Sequence, residues 1–257
     1  MDIHPTALVS PKARLAEDVK IGPYCVVGDY VTVGRFTTLL SHVVVEGHTL
    51  IGERNMVYPF VSIGSPPQDI SYRGEETRVV IGDDNLIREF TTINRATTKQ
   101  DRETVLGNQN YLMAYTHVAH DCVLGSGIIM GNGATLGGHV SVGDQARFGG
   151  MVAVHQFVRI GAYAFLGGKA GIDRDVPPFM IVAGERGKLY GVNQKGLTRL
   201  GWPNEKIAAL KKAYAILWRG HRPFSEGIRQ VREEIPSFPE LDLLLSFLTK
   251  SKRGILR

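Results

Sequence analysis

Along most of this chain an aliphatic or other large apolar residue recurs at every sixth position. The series opens Ile3, Val9, Leu15, Ile21, Val27, Val33 and runs to Ile63. It resumes in register at Ile81, Ile87 and Ile93. After a shift of one residue it continues from Leu106 through Leu112, Val118, Leu124, Met130 and Leu136 to Ile172. In a chain that is 43% hydrophobic, so long an unbroken series is not a compositional accident. Glycine follows the apolar residue in more than half of the repeats, among them Gly22, Gly28, Gly34, Gly107, Gly125, Gly131 and Gly161. A period of six is neither the 3.6 of a helix face nor the two of a strand. It fits a coil with three flat sides, the apolar residue pointing inward and the small residue placed where a Cβ would crowd a corner. Coils of three hexads stack as parallel strands about 4.8 Å apart, and neighbours share the buried core as in any solenoid. The pattern therefore predicts a mainly β fold, a parallel β-helix.

The period fails in three places. Residues 65–78 (SPPQDISYRGEETR) and 95–103 (RATTKQDRE) are polar and read as loops thrown out from coil corners. Loops on a rigid scaffold often carry function. The third break, at Asp175-Val176-Pro177-Pro178, ends the solenoid, giving a β-helical domain over 1–180. Downstream, Ile207, Leu210, Tyr214 and Leu217 follow helical spacing, with Gly220 as the stop. Ser225 is placed to cap a second helix through Ile228, Val231 and Ile235. Pro239 opens a third through Leu241, Leu244 and Leu248. Residues 185–257 thus read as a small α-helical C-terminal domain.

Charge sharpens this division. Residues 1–185 carry 15 Lys/Arg against 19 Asp/Glu, and residues 186–257 carry 15 against 6. A basic tail suits an acidic partner or a phosphorylated ligand. The cations are dispersed and no reader motif accompanies them, so nucleic acid is not expected. No apolar run approaches the roughly 20 residues of a membrane span. The opening Met1-Asp2-Ile3-His4-Pro5 lacks the features of a signal peptide. Cys25 and Cys122 form no CxxC pair, sit at equivalent places in their hexads and read as small buried side chains. A cytoplasmic protein is expected.

Four of the eight histidines, His117, His120, His139 and His155, fall in three consecutive coils. His4, His42, His48 and His221 have no such company and read as structural or surface residues. Residues 18 apart should lie one above another, which aligns His120, Gly138 and Gln156 in one column and Asp121, His139 and Phe157 in the next. An imidazole titrates near neutral pH and can take a proton from a hydroxyl. An adjacent carboxylate such as Asp121 can fix its tautomer, but strand neighbours point to opposite faces, so the pairing demands corner geometry. The Gly138 N–H, one coil above, can donate to the oxyanion of a tetrahedral intermediate. No G-x-S-x-G elbow is present and Cys122 is expected to point inward. Direct attack by an acceptor fits better than a covalent acyl-enzyme.

These residues carry a family resemblance. Thr116-His117-Val118-Ala119-His120-Asp121-Cys122, Leu136-Gly137-Gly138-His139-Val140, Ala153-Val154-His155-Gln156-Phe157 and Asp175-Val176-Pro177-Pro178 resemble, in order and spacing, the UDP-N-acetylglucosamine 3-O-acyltransferases of lipid A biosynthesis. Gln68-Asp69 and Gly191-Val192-Asn193 are similar too. The resemblance implies a left-handed coil and a homotrimer with active sites between subunits. It implies transfer of an (R)-3-hydroxyacyl group from acyl carrier protein to the sugar 3-hydroxyl of UDP-N-acetylglucosamine, with no cofactor and no metal. Under it His120 is the general base, Asp121 orients it and the Gly138 amide holds the oxyanion. His117, His139, His155 and Gln156 contact the sugar nucleotide or position the reactants. Gln68 and Asp69 reach the sugar, Asn193 and Arg199 reach the nucleotide or its phosphates, and Gly168 admits a long acyl chain.

Ser71, Asn94, Lys195 and Leu200 depart from residues common in that family: a lysine, a histidine, an acid and an arginine. They leave room for altered nucleotide contacts or for a 3-amino acceptor that yields an amide. Three other readings compete: a zinc β-helix carbonic anhydrase, which needs three converging histidines; the N-acyltransferase of the same pathway, which carries an extra N-terminal domain; and a catalytically silent scaffold.

Overall fold

The computed structural model describes residues 1–220 and 223–257; His221 lies outside them. The chain winds as a left-handed parallel β-helix whose three faces are, among the described residues, sheets of 11, 9 and 8 strands. The first face holds Lys20–Ile21, Thr38–Leu39, Tyr111–Leu112, Ile129–Met130 and Arg147–Phe148. The second holds Val26–Val27, His117–Val118, Thr135–Leu136 and Ala153–Val154, and the third Val31–Val33, Val123–Leu124 and Ser141–Val142. Pairing is in register, as in His117↔Thr135 and Val118↔Leu136, so residues 18 apart do stack. The hexad residues form one continuous core, with Leu39, Ile63, Ile87, Leu112 and Leu136 fully buried. Only the open first coil breaks the rule: Ile3 is exposed because no coil lies beneath it.

The corner glycines are needed for close approach. A Cβ on Gly34 would lie 2.6 Å from the Gly52 carbonyl oxygen of the next coil, and one on Gly143 would lie 2.5 Å from the Ala162 nitrogen. The left-handed turn itself falls two residues later, on side chains such as Tyr24 (φ 59°), Arg54 (φ 54°) and Asp121 (φ 60°). This conformation costs a non-glycine residue about 1–2 kcal/mol. Inside the corner between third and first faces, Asn55, Asn85 and Asn110 form a buried ladder. Asn55 Oδ1 accepts from the Asn85 N–H and Asn85 Oδ1 from the Asn110 N–H, each at 2.9 Å.

The two polar insertions are excursions, over 66–77 and 95–102, between Ser62–Ser65 and Arg78–Ile81 and between Thr92–Asn94 and Glu103–Leu106. Both leave the corner between the second and third faces. At the far end Met180–Ala183 extends the first face and Lys188–Val192 returns antiparallel to it. That hairpin, and the short helix α1 (Gln194–Arg199) after it, are unexpected in a tail read as three later helices. Then come α2 (Asn204–Tyr214), which passes into a π-helical turn at Ala215–Arg219, α3 (Phe224–Glu234) and α4 (Pro239–Thr249). Pro223, not Ser225, precedes α3, so Ser225 lies inside the first turn. A second core of Phe179, Met180, Leu197, Leu210 and Leu244 joins the helices to the end of the solenoid.

Candidate active site

The corner between second and third faces carries the expected columns. The main chain links them vertically: the His139 N–H donates to the His120 carbonyl and the Phe157 N–H to the Gly138 carbonyl, each at 3.0 Å. Asp121, His139 and Phe157 all adopt φ between 60° and 66°. That turn supplies the corner geometry the pairing demands, and His120 Nδ1 lies 2.7 Å from Asp121 Oδ2.

Asp121 is 1% exposed at its side chain and His120 is 12% exposed, so the acid is sealed and the base reaches the surface by one edge. Burial alone would push the Asp121 carboxyl up. Hydrogen bonds from His120, the Thr97 hydroxyl and the Thr97 N–H outweigh it and hold the group below the ordinary carboxylate range. An ionised Asp121 can only accept, so His120 Nδ1 carries the proton and its Nε2 presents a lone pair. Gly138 covers this ring: a Cβ there would lie 2.5 Å from His120 Cε1 and 2.7 Å from Nε2. Among the described residues no acceptor takes the Gly138 N–H.

His139 stacks on Phe157 at 4.4 Å and meets the His120 ring edge-on at 5.1 Å. Burial lowers its basicity, against the pull of Asp121. His117, on the second face, bonds Thr92 Oγ1 through Nδ1 at 2.7 Å and is likewise held low by burial and by His120. Gln156 is exposed at the top of the column. His155 Nδ1 meets the Arg253 guanidinium at 2.8 Å. Cys122 is buried and its thiol is pushed up to about 12, which removes it as a nucleophile.

The second excursion folds over this corner and supplies residues the sequence did not single out. Thr97 donates to Asp121 Oδ2 from its N–H (3.0 Å) and its hydroxyl (2.7 Å). Gln100 Oε1 accepts from His139 Nδ1 at 2.8 Å. Lys99 Nζ pairs with Asp69 Oδ2 of the first excursion at 2.6 Å. That pair, with the hydroxyl and N–H of Ser71, holds the Asp69 carboxyl well below its usual range. Ser71 thus ties Asp69 in place where a lysine is common. Asn94 is buried and donates to the Pro66 carbonyl at 3.0 Å, which roots the first loop. Gln68 is exposed beside Asp69. The polarity of 95–103 marked a loop, but stacking arithmetic assigns no column to a loop residue, so Thr97 and Gln100 had no signal of their own.

The remaining expected contacts lie elsewhere on the same chain. Asn193 and Arg199, with Lys195 and Leu200, line a cleft of about 570 Å³ against Gln145, Arg147 and Phe165, at the corner between third and first faces. Asn193 also caps α1, accepting from the Gly196 N–H at 3.2 Å and donating to the Tyr163 carbonyl at 3.0 Å. Both ends of its amide are therefore engaged within the chain. Gly168 sits at the corner between first and second faces. One chain does not bring these residues to His120.

The ligand atoms of His120, Asp121 and His139 lie within 4.8 Å of one another. As a metal site the set fits poorly. Asp121 Oδ2 already holds Thr97 and His120 while Oδ1 is buried without a partner among the described residues, and the further histidines that a zinc site needs are engaged elsewhere, His155 by Arg253 and His117 by Thr92.

Comparison with known proteins identifies the family. Residues 103–138 match the bacterial transferase hexapeptide (six repeats) family, and residues 175–256 match Udp N-acetylglucosamine O-acyltransferase, domain 2. Two relatives named acyl-[acyl-carrier-protein]--UDP-N-acetylglucosamine O-acyltransferase come from Thermodesulfovibrio yellowstonii and Syntrophobacter fumaroxidans. They are 53% and 50% identical over 100% of this chain, with 99% and 100% of their own lengths covered. The solved structure of LpxA from Acinetobacter baumannii superposes with a TM-score of 0.97 at 42% identity, covering 99% of both chains. The Arabidopsis UDP-N-acetylglucosamine acyltransferase superposes at 0.87 with 33% identity, covering 99% of this chain and 100% of its own. With this identity sustained from end to end, the chain belongs to the acyl-[acyl-carrier-protein]--UDP-N-acetylglucosamine O-acyltransferase family.

Proposed function

We propose that the chain catalyses transfer of an (R)-3-hydroxyacyl group from acyl carrier protein to the 3-hydroxyl of UDP-N-acetylglucosamine, the first step of lipid A biosynthesis, in the cytoplasm and as a homotrimer. The observation that carries the chemistry is an imidazole whose Nδ1 is fixed by a sealed carboxylate and whose Nε2 lies beneath a bare glycine. His120 Nε2 takes the proton of the sugar hydroxyl as that oxygen attacks the thioester carbonyl carbon. Asp121 stabilises the imidazolium that forms. The Gly138 N–H receives the oxyanion of the tetrahedral intermediate. Collapse breaks the C–S bond, and the imidazolium returns its proton to the departing thiolate, which restores the enzyme and leaves an ester.

His117, His139, His155 and Gln156 surround the attacking sugar, with Gln68 and Asp69 reaching it from the first loop. Arg199 and Lys195 supply cations for the diphosphate from the cleft at the opposite corner, and Asn193 shapes that cleft through its capping role. Those residues serve the site of an adjacent subunit, which is the reason for reading a trimer. Gly168, bare at a third corner, leaves space for a long acyl chain. The basic tail suits an acidic carrier protein. Neither the amide-forming acceptor, the N-acyltransferase, the zinc enzyme nor the silent scaffold draws support from the relatives.

The test is mass spectrometry of product from mixed acyl carrier protein thioesters, offered UDP-N-acetylglucosamine and its 3-amino analogue together. Ester from the first acceptor is expected, and His120→Ala should lower turnover by about 10²-fold or more. Amide as the main product, or full turnover by the variant, would overturn the reading.

A further inference from the structure

The last residues of the chain, 251–256, return to the solenoid as a strap. Ile255 pairs in parallel with Asp175, at the break that ends the coils. The Asp175 N–H donates to the Gly254 carbonyl and the Leu256 N–H to the Asp175 carbonyl, each at 3.0 Å. The Ser251 hydroxyl donates to Asp175 Oδ2 at 2.8 Å, and Asp175 is fully buried. Trp218 Nε1 donates to the Leu256 carbonyl at 3.2 Å, which ties the strap to the helices as well. So anchored, the strap carries Arg253 to His155, 98 residues earlier in the chain. Arg253 Nε donates to the Asp173 carbonyl at 2.9 Å, and its Nη2 lies 2.8 Å from His155 Nδ1. The guanidinium is held from two sides.

Two groups compete for His155 Nδ1. The Gln156 carbonyl, at 3.2 Å, can only accept and would require a proton there. The guanidinium can only donate and does not lose its charge, so it requires a lone pair. The shorter, charge-assisted contact decides. With a lone pair at Nδ1, the ring's one N–H is at Nε2. His155 is exposed, and among the described residues nothing accepts from that nitrogen.

We propose that Arg253 is a positioning residue for the transfer, setting His155 as a hydrogen-bond donor to the acceptor sugar nucleotide. The proposal rests on the acyl-transfer reading, in which His155 contacts that acceptor, and adds the group that fixes its tautomer. The site then holds two histidines set in opposite senses. A carboxylate makes His120 an acceptor at Nε2, and a guanidinium makes His155 a donor at the same atom. The phosphate and acetamide oxygens of UDP-N-acetylglucosamine accept only, so an N–H at Nε2 binds them where a lone pair would repel them. The setting also withholds from His155 the lone pair that would compete with His120 for the hydroxyl proton.

The tautomer is read in the free, unsubstituted protein from 1H–15N spectra of the histidine rings, with the His155 signals identified by their loss in His155→Ala. The Nε2–H form is expected, and the Nδ1–H form would overturn the proposal whatever the activity. Steady-state kinetics reads the consequence. Arg253→Met should raise KM for UDP-N-acetylglucosamine about 10-fold and leave kcat nearly unchanged, the mark of binding lost equally from ground and transition states. Arg253→Lys keeps a donor and should restore most of the affinity. In a His155→Ala background, loss of Arg253 should cost nothing further. Additive losses, or a KM that rises for the thioester alone, would overturn the proposal, because Arg253 would then act by some route other than His155 and the acceptor. A parent that turns over no UDP-sugar would overturn the acyl-transfer reading and this role with it, while the ring spectra would still report the tautomer.

Discussion

Two corners of this prism share one backbone and differ in everything they do. At both, the residue two places after the corner's first takes a left-handed turn near φ 60° and stacks on its equivalent in the next coil. At the first corner, between first and second faces, the turn residues are Tyr24, His42, Phe60, Phe90 and Tyr115, rings stacked with no acid among them. At the second they are Asp121, His139 and Phe157, preceded by His120, Gly138 and Gln156, and a loop closes over them. The lesson is that the scaffold contributes position alone. The proposed chemistry needs a carboxylate at the turn beside an imidazole just before it, a next coil that offers no Cβ, and an excursion that supplies donors to the acid.

Each clause of that comparison can be broken separately. The largest effect is expected from Gly138→Ala. Its Cβ would occupy the space of the His120 ring, the far end of a side chain that must rotate to make room. The coil should remain folded while turnover falls by about 10²-fold or more, as for loss of a general base. Steady-state kinetics beside an unchanged circular dichroism spectrum checks this, and a fully active variant would show that the bare position is not needed.

Thr97→Val should be milder. It removes the hydroxyl donor from Asp121 and keeps the N–H donor. One hydrogen bond to a charged group is worth about 1.5–3 kcal/mol; with the N–H donor still in place the loss should fall at the lower end, about 10-fold in turnover. The loss should appear in kcat rather than KM if Thr97 acts through Asp121 as a positioning residue. A change confined to KM would place Thr97 against substrate instead.

The smallest effect concerns stability and pH. The Asp121 carboxyl is held low in the folded chain, so its contribution is fully present above the unfolded value of about 3.9 and is lost as pH falls through the lower folded value. Asp121→Asn should therefore melt about 2–4 °C below the parent at neutral pH. The gap should narrow below pH ~4 as the parent's own carboxyl protonates. A gap independent of pH would mean that packing, not charge, is what the substitution disturbs.

The solenoid was legible in the sequence because one residue in six is forced inward and one corner position is forced to be small. Both constraints repeat in every coil. The columns of the site followed from the same arithmetic, which is why His120, Asp121, Gly138 and His139 could be placed together. Thr97, Gln100 and Lys99 could not be, since a loop has no period and its contacts are set by tertiary packing alone. The outward column of Tyr24, His42, Phe60, Phe90 and Tyr115 shares the coil's spacing, but outward side chains are under no common constraint and so carry no pattern like the inward series. Lys188–Val192 escaped because a short antiparallel strand at a sheet's end has neither the hexad nor a helical face to announce it.

The two excursions leave from one corner after a bulge at Gly64, yet the strands that follow them, Arg78–Ile81 and Glu103–Leu106, pair without a slip. Arg78 faces His48 below and Glu103 above, although more than a coil's length of chain intervenes. The scaffold thus tolerates changes of length at this single port. Under the proposed mechanism, the segments that reach toward the acceptor can be lengthened, shortened or exchanged while His120, Asp121 and Gly138 keep their coordinates. Substrate choice in this architecture can drift independently of the machinery that performs the transfer.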